Sequence, residues 1–303
     1  MTRTRTSSGT GITMPELDAP RRLIGGRTFD FDREIAVMAI INRTPDSFYD
    51  QGATFALDAS VLAAHQAVAD GADWVDIGGA KFAPGPAVPI DEEIDRVVPV
   101  VEALRGAGVV ISVDTFHPAV AAACIAAGAH VINDTTGVHD PAMADVVADS
   151  DATLVVAHSL AAPRMPHPVP HYDDVVGEVS AFLLARVDRA VSRGVPRERI
   201  IIDPGHDLNK TTRHSLELTR RLDEITGLGL PTLVAVSNKD FIGESLDRPR
   251  GERIEGSVAA AVVCILQGAR IVRMHNVRAA VDAVRMTEAI LGFREPAYER
   301  HNL

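Results

Sequence analysis

The chain has 303 residues, 46% of them hydrophobic but only 4% aromatic, so Ala, Val, Ile and Leu must fill its core, a composition that suits parallel strands buried on both faces. A formal net charge of −11 argues against a surface built to bind nucleic-acid backbone. The N-terminal MTRTRTSSGTG lacks an apolar signal core and no later apolar run reaches membrane length, which points to a cytoplasmic protein without membrane partners.

Residues 1–22 are polar and read as a disordered tail, followed by one domain over 23–303. From Ala36 onward a short β-branched run, a polar or Gly-rich loop and an Ala/Leu-rich helical stretch recur. The runs are AVMAIIN (36–42), DWVDIGG (73–79), VVISVD (109–114), HVINDT (130–135), TLVVAHS (153–159), RIIIDPG (199–205), PTLVAVSN (231–238) and RIVRMHN (270–276). Helical stretches lie between them, among them 91–105, 118–127, 173–193 and 255–267, and a last one covers 278–291. In AAGAH (126–130) and LQGAR (266–270) a glycine ends a helix just before the next strand. Eight such units with no second composition regime predict an α/β fold, a single (β/α)8 TIM barrel. Cys124 and Cys264 sit in apolar helical patterns and read as buried thiols.

A barrel places its chemistry at the C-terminal ends of its strands. Those ends carry Asn42, Asp76 with Gly78-Gly79, Asp114, Asn133-Asp134, His158-Ser159, Asp203, Ser237-Asn238-Lys239, and Arg273 with His275. Polar strand ends are common, but acids or amides after strands one, three, four and six, with cations after seven and eight, form a coherent set. Asp114, Asn133, Asp203 and Lys239 offer acceptors and donors suited to a flat, nitrogen-rich heterocycle. Arg273 and His275 are two apart on a strand, point to the same side, and make a local anion site. Asn42 carries an oxygen able to ligate Mg²⁺. A heterocycle bearing a diphosphate, with Mg²⁺, is the ligand this set implies.

The motifs INRTPDSFYDQG (41–52), VDIGG (75–79), ISVDT (111–115), VINDT (131–135), DPG with Lys210 behind it (203–210), VSNKDFIGE (236–244), RIEGS (253–257) and RMHNV (273–277) occur in order. Across 36–291 the chain resembles the dihydropteroate synthase family of pterin-binding barrels. The resemblance implies a transferase of folate biosynthesis that joins 6-hydroxymethyl-7,8-dihydropterin diphosphate to p-aminobenzoate with Mg²⁺ assistance. It implies that Asp114, Asn133, Asp203 and Lys239 hold the pterin and that Arg273 and His275 anchor pyrophosphate, with Lys239, Arg273 and His275 in the catalytic set. It further implies Asn42 at the metal, Thr44 and Asp46 in a first mobile loop, Lys81 and Phe82 in a second, and a homodimer paired through the last helices.

The chain departs from that pattern in three places. The family's second loop, GGESTRPG, is GGAKFAPG here (78–85), so the glutamate, serine, threonine and arginine become Ala80, Lys81, Phe82 and Ala83. The family's DPGFGFGK is DPGHDLNK (203–210), which turns a pocket phenylalanine into Leu208 and adds the Asp207 carboxylate. The family's SRKS is SNKD (237–240), with Asn238 in place of an arginine. These changes gather where p-aminobenzoate would sit and spare the pterin side. An alternative reading is therefore a divergent paralogue that binds the pterin diphosphate with little or no dihydropteroate synthesis, or that uses another nucleophile. Elsewhere, the prolines of HPVPHY forbid a helix that would pair His167 with His171 as metal ligands, His65 reads as an ordinary helical residue, and Trp74 is expected to pack against a helix.

Overall fold

A computed structural model describes residues 4–6, 13–42, 52–80, 82–162, 164–165 and 168–301. Eight parallel strands form the central sheet: β5 (Ala36–Asn42), β6 (Trp74–Gly78), β7 (Val110–Asp114), β8 (Val131–Asp134), β9 (Thr153–Ala157), β10 (Ile200–Asp203), β11 (Leu233–Val234) and β12 (Ile271–Met274). They are ordered β10-β9-β8-β7-β6-β5-β12-β11. A parallel bridge from Ile202 to Thr232, with the Ile202 N–H donating to Pro231 at 3.0 Å, joins the two ends and closes the barrel. All eight predicted runs are strands here. The seventh is much shorter than expected: after Val234 the chain leaves the ladder, and the Ser237 hydroxyl instead accepts from the His275 N–H at 3.1 Å.

Helices α1 (Gly52–Ala69), α2 (Ile90–Ala103), α3 (Pro118–Ala127), α4 (Ala142–Ala148), α5 (Val175–Ser192), α6 (Thr212–Arg220), α7 (Leu222–Thr226), α8 (Asp240–Leu246), α9 (Ile254–Leu266) and α10 (Val277–Ile290) surround it. Their inner faces and the outward strand residues, nearly all Ala, Val, Ile and Leu, make the larger core, which also buries both free cysteines. The two predicted helix-ending glycines, Gly128 and Gly268, have φ of +113° and +102°, a conformation cheap only without a Cβ.

A second core fills the barrel itself. It takes at least one inward residue from each strand, including Met38, Trp74, Val110, Val131, Val155, Ile201, Leu233 and Ile271. An antiparallel hairpin, β3 (Arg21–Ile24) and β4 (Arg27–Asp30), plugs the N-terminal end and supplies Phe29 and Phe31. Trp74 therefore does not pack against a helix as expected. It points inward, fully buried, edge-on to Phe29 at 5.6 Å, because its position on β6 is in phase with the interior side chains. Of the segment read as a tail, β1 (Thr4–Thr6) pairs with β2 (Thr13–Pro15). Residues from 13 on belong to the folded body. Met14 and Leu17 are buried, and the buried Arg270 guanidinium donates to the Pro15 carbonyl at 3.3 Å.

Candidate functional site

Side chains alternate along a strand, so the inward set continues upward from the aromatic floor. One layer above Trp74, Val110, Val131 and Ile271 it consists of Asp76, Ser112, Asn133 and Arg273. Asp76 is fully buried and is the hub of this layer. Its Oδ1 accepts from the Ser112 hydroxyl at 2.6 Å, and its Oδ2 accepts from Asn133 Nδ2 at 3.0 Å and Arg273 Nε at 2.6 Å. Arg273 also donates to Asp114 at 3.0 Å, spanning two carboxylates. A buried charge costs several kcal/mol unless paired and hydrogen-bonded, and this layer meets both conditions.

Above it opens a cavity of about 590 Å³ at the C-terminal mouth, with Asn42, Asp114, Lys239, Arg273 and His275 in its wall. Burial, opposed by the Arg273 guanidinium, raises the Asp114 carboxyl to about 7. The Lys239 ammonium faces the charges of Asp207, Asp203 and Asp114, and burial lowers its pKa; among the described residues it donates no hydrogen bond. His275 differs from the cation expected. Burial and the neighbouring Arg273 push its imidazole down to about 4, so it is neutral at pH 7, with Nδ1 3.0 Å from the Ser237 hydroxyl. The cations lining the mouth among the described residues are Arg273, Lys239 and Arg250.

Two further expected residues stand just behind the wall. Asn133 is buried, and with Nδ2 on Asp76 its Oδ1 has no partner among the described residues. A buried acceptor left open is costly, and a ligand N–H would satisfy it. Asp203 is buried at the end of β10, accepts from the Gly205 N–H at 2.7 Å, and is surrounded by Lys239, Arg273 and Lys210. Thus Asp114, Asn133, Asp203, Lys239 and Arg273 come together at one end of the barrel. Sequence reasoning placed Asp76 among the strand ends but gave it no role; the available signal was an acid in the middle of an apolar strand, in phase with Trp74.

The loop DPGHDLNK is built differently from a glycine-rich one. Asp207 and Asn209 occupy glycine positions of the family pattern and adopt φ of +63° and +51°, which Asp and Asn tolerate best among side-chain-bearing residues. Both use the side chain gained. Asn209 Oδ1 accepts from the Ser159 hydroxyl and from the N–H groups of Leu160 and Ala161. Asp207 accepts from the N–H groups of Asp240 at 2.5 Å and Phe241 at 3.3 Å, capping α8, whose own N-cap Lys239 provides no side-chain cap. Lys210 does not face the cavity. Its ammonium donates to the carbonyls of Gly205 and Leu208 and lies 2.8 Å from His158 Nδ1, whose imidazole burial drives down to about 2.

Of the second loop, Ala80, Phe82 and Ala83 line the cavity. Arg164, from the connection after β9, clamps this loop: Nε and Nη2 donate to Pro86 O at 2.9 and 2.7 Å, and Nη1 to Ala83 O at 2.8 Å. Thr44, Asp46 and Lys81 lie outside the described residues, as does His167. Among the described residues no group of three or more His, Cys, Asp or Glu could hold a metal ion, and no helix is long and apolar enough to cross a membrane.

A profile of the pterin-binding enzyme family matches residues 38–275. The chain is 48% identical over 278 residues to a Mycobacterium tuberculosis protein named inactive dihydropteroate synthase 2, covering 89% of this chain and 87% of that one. It is 38% identical to the dihydropteroate synthase of Escherichia coli, covering 86% and 93%. It superposes on the structure of Xanthomonas albilineans dihydropteroate synthase with 4-aminobenzoic acid at a TM-score of 0.83, with 40% identity and coverage of 89% and 98%. With the barrel, its polar upper layer and its open mouth in place, these matches identify the chain as a member of the pterin-binding enzyme family, the family of the dihydropteroate synthases.

Proposed function

We propose that the larger cavity binds 6-hydroxymethyl-7,8-dihydropterin diphosphate and that the chain is a dihydropteroate synthase-type transferase. The observation that carries this is the buried array of Asp76, Asn133, Asp114 and Arg273 under the cavity. Asp114 presents a carboxylate and Asn133 an open Oδ1 to the N–H edge of a pterin, while Lys239 lines the wall and Asp203 stands behind it. Arg273, Lys239 and the neutral His275 N–H face the diphosphate. The pterin methylene C–O bond breaks and its electron pair leaves with the diphosphate. An amine lone pair then forms the C–N bond, and the amine proton passes to solvent or to the departing diphosphate. Lys239 and Arg273 stabilise the charge developing on the leaving group. Asn42 offers one amide oxygen at the cavity rim, beside Gly78. One hard oxygen donor fits Mg²⁺ held mainly by phosphates and water, and Mg²⁺ bound there supplies charge neutralisation to the diphosphate. Thr44, Asp46, Lys81 and Phe82 belong to the loops that cover the substrates in this reading.

A second reading has its own support. Three positions altered in the chain, Ala83, Leu208 and Asn238, line a neighbouring cavity, and Ala83 and Asn238 line the larger one too, whereas none belongs to the polar layer. On this reading the pterin diphosphate binds but p-aminobenzoate is a poor acceptor. Purified protein incubated with dihydropterin diphosphate, Mg²⁺ and p-aminobenzoate, with dihydropteroate measured beside an active synthase, separates the two. Rates within about tenfold of the synthase support the transferase; pterin binding by calorimetry without product supports the divergent paralogue. We further read the protein as cytoplasmic and as a homodimer through α9 and α10, whose outer faces expose Val263, Met286 and Ile290. Light scattering that returns a monomer mass rejects the dimer.

A further inference from the structure

A smaller cavity of about 260 Å³ adjoins the larger one and shares Phe82, Ala83, Asn238, Lys239 and Arg250 with it. A molecule there lies next to whatever fills the larger cavity. The space is below the roughly 300–1,000 Å³ typical of drug-sized ligands, so it suits one small ring. Phe82 and Leu208 provide apolar surface for that ring.

The wall pairs two cations, Lys239 and Arg250, with two carboxylates, Asp207 and Asp240. Hydrogen bonds from Arg253 and Arg250 hold the Asp240 carboxyl below the usual carboxylate range. Of the nearby guanidinium groups, Arg253 is engaged through Nε and Nη1 and Arg250 through Nη2. Arg250 donates to Asp240 at 3.1 Å, and the buried Arg253 donates to Asp240 and to the carbonyls of Asn238, Lys239 and Arg248. The backbone N–H groups of Asp240 and Phe241, which would otherwise be open to a ligand's oxygen, hold Asp207. An incoming carboxylate therefore meets two like charges and occupied α8 amides, while the cations of the wall already face carboxylates of the chain: Lys239 faces Asp207, Asp203 and Asp114, and Arg250 pairs with Asp240. A ligand end bearing N–H donors meets two acceptors. Asp207 keeps this arrangement in place from a left-handed backbone, φ +63°, so its position is tied to the loop's geometry and not to one rotamer.

We propose that this cavity is the subsite for the second substrate, and that it selects an aromatic amine whose far end carries hydrogen-bond donors in place of a carboxylate, with Asp207 and Asp240 as the specificity-determining residues. The proposal rests on the reading that the larger cavity holds the pterin diphosphate. Three ligands with the same aniline amine test it: p-aminobenzoate, p-aminobenzamide and 4-aminobenzylamine. Each is titrated by calorimetry into the full chain saturated with 6-hydroxymethylpterin, inorganic pyrophosphate and Mg²⁺. The amide and the benzylamine are expected to bind at least about tenfold more tightly than the benzoate. The advantage of the benzylamine is expected to shrink as salt rises from about 0.05 to about 0.5 M. Asp207→Asn with Asp240→Asn is expected to bring the three within about threefold; Asn keeps an acceptor for the α8 amides, and the unmodified chain with its salt series remains decisive should this variant not fold. Equal or tighter binding of p-aminobenzoate overturns the proposal, as does absence of binding by all three to the pterin-loaded chain, or an unchanged preference in a folded double variant. Absence of heat on adding the pterin itself overturns the reading of the larger cavity as well, which separates the two failures.

Discussion

Asp76 touches Ser112, Asn133 and Arg273 at once, so its loss strips three buried donors of their acceptor. Asp76→Ala is expected to lower stability by about 3–5 kcal/mol, read from urea denaturation, with Asp76→Asn intermediate; a cost below about 1 kcal/mol rejects the hub assignment. Asp114 faces the cavity and is engaged on one side by Arg273. Asp114→Ala is expected to weaken a pterin analogue by about 2–4 kcal/mol in calorimetry. Its titration adds a pH signature. The carboxyl is raised to about 7 in the folded protein, against about 3.9 when unfolded. Between these values the folded state keeps a proton the unfolded state has lost. This group's contribution to stability is therefore largest below pH 4 and falls as pH rises to 7, and a pterin that needs the carboxylate binds better at pH 8 than at pH 5.5. Comparing Asp114→Asn with the unmodified chain at the two pH values isolates it; identical pH profiles count against the raised carboxyl.

At the scale of elements, two loops hold each other and the start of α8. Arg164 reaches the second loop by three side-chain hydrogen bonds, reinforced by the Arg164 N–H on Phe82 O and the Gly85 N–H on Arg164 O. The side chain binds at the surface, so Arg164→Ala is expected to change global stability by less than about 0.5 kcal/mol while raising amide exchange at Phe82–Pro86. Unchanged exchange there shows that the clamp is not what orders the loop. Lys210 plays the matching part in DPGHDLNK, where it joins two carbonyls of its own loop to His158. Lys210→Met is expected to cost about 2 kcal/mol and to sensitise 204–211 to protease, since it frees the buried Gly205 carbonyl and the part-buried Leu208 carbonyl. Reverting Asn238 to the family's arginine must also contend with φ +59°, a conformation Asn accepts more readily than Arg.

For the whole molecule, the barrel separates stability from binding along its axis. The floor is Phe29, Phe31 and Trp74, and the polar layer and mouth stand above it. Phe29→Ala opens a cavity in the sealed end and is expected to cost about 3–5 kcal/mol in urea denaturation while leaving pterin affinity within about twofold. A parallel loss of affinity means that the floor and the mouth are coupled.

The sequence alone determined the eight-unit barrel, the strand each polar residue ends, and the family. These are local: each strand reads as a β-branched run, two helix stops read as glycines, and the motifs lie on single loops. It could not reveal that Asp76 organises the mouth, that Trp74 and the segment from Met14 seal the floor, or that His275 is neutral. Each depends on which side of a strand faces inward and how deeply water is excluded, quantities set by partners up to 256 residues away, as between Met14 and Arg270. Tertiary structure also decided the meaning of Asp207. On the page of the sequence it is a stray carboxylate in a glycine loop. In the fold it lies against the first amides of α8, 33 residues on, because only barrel closure brings the ends of β10 and β11 side by side.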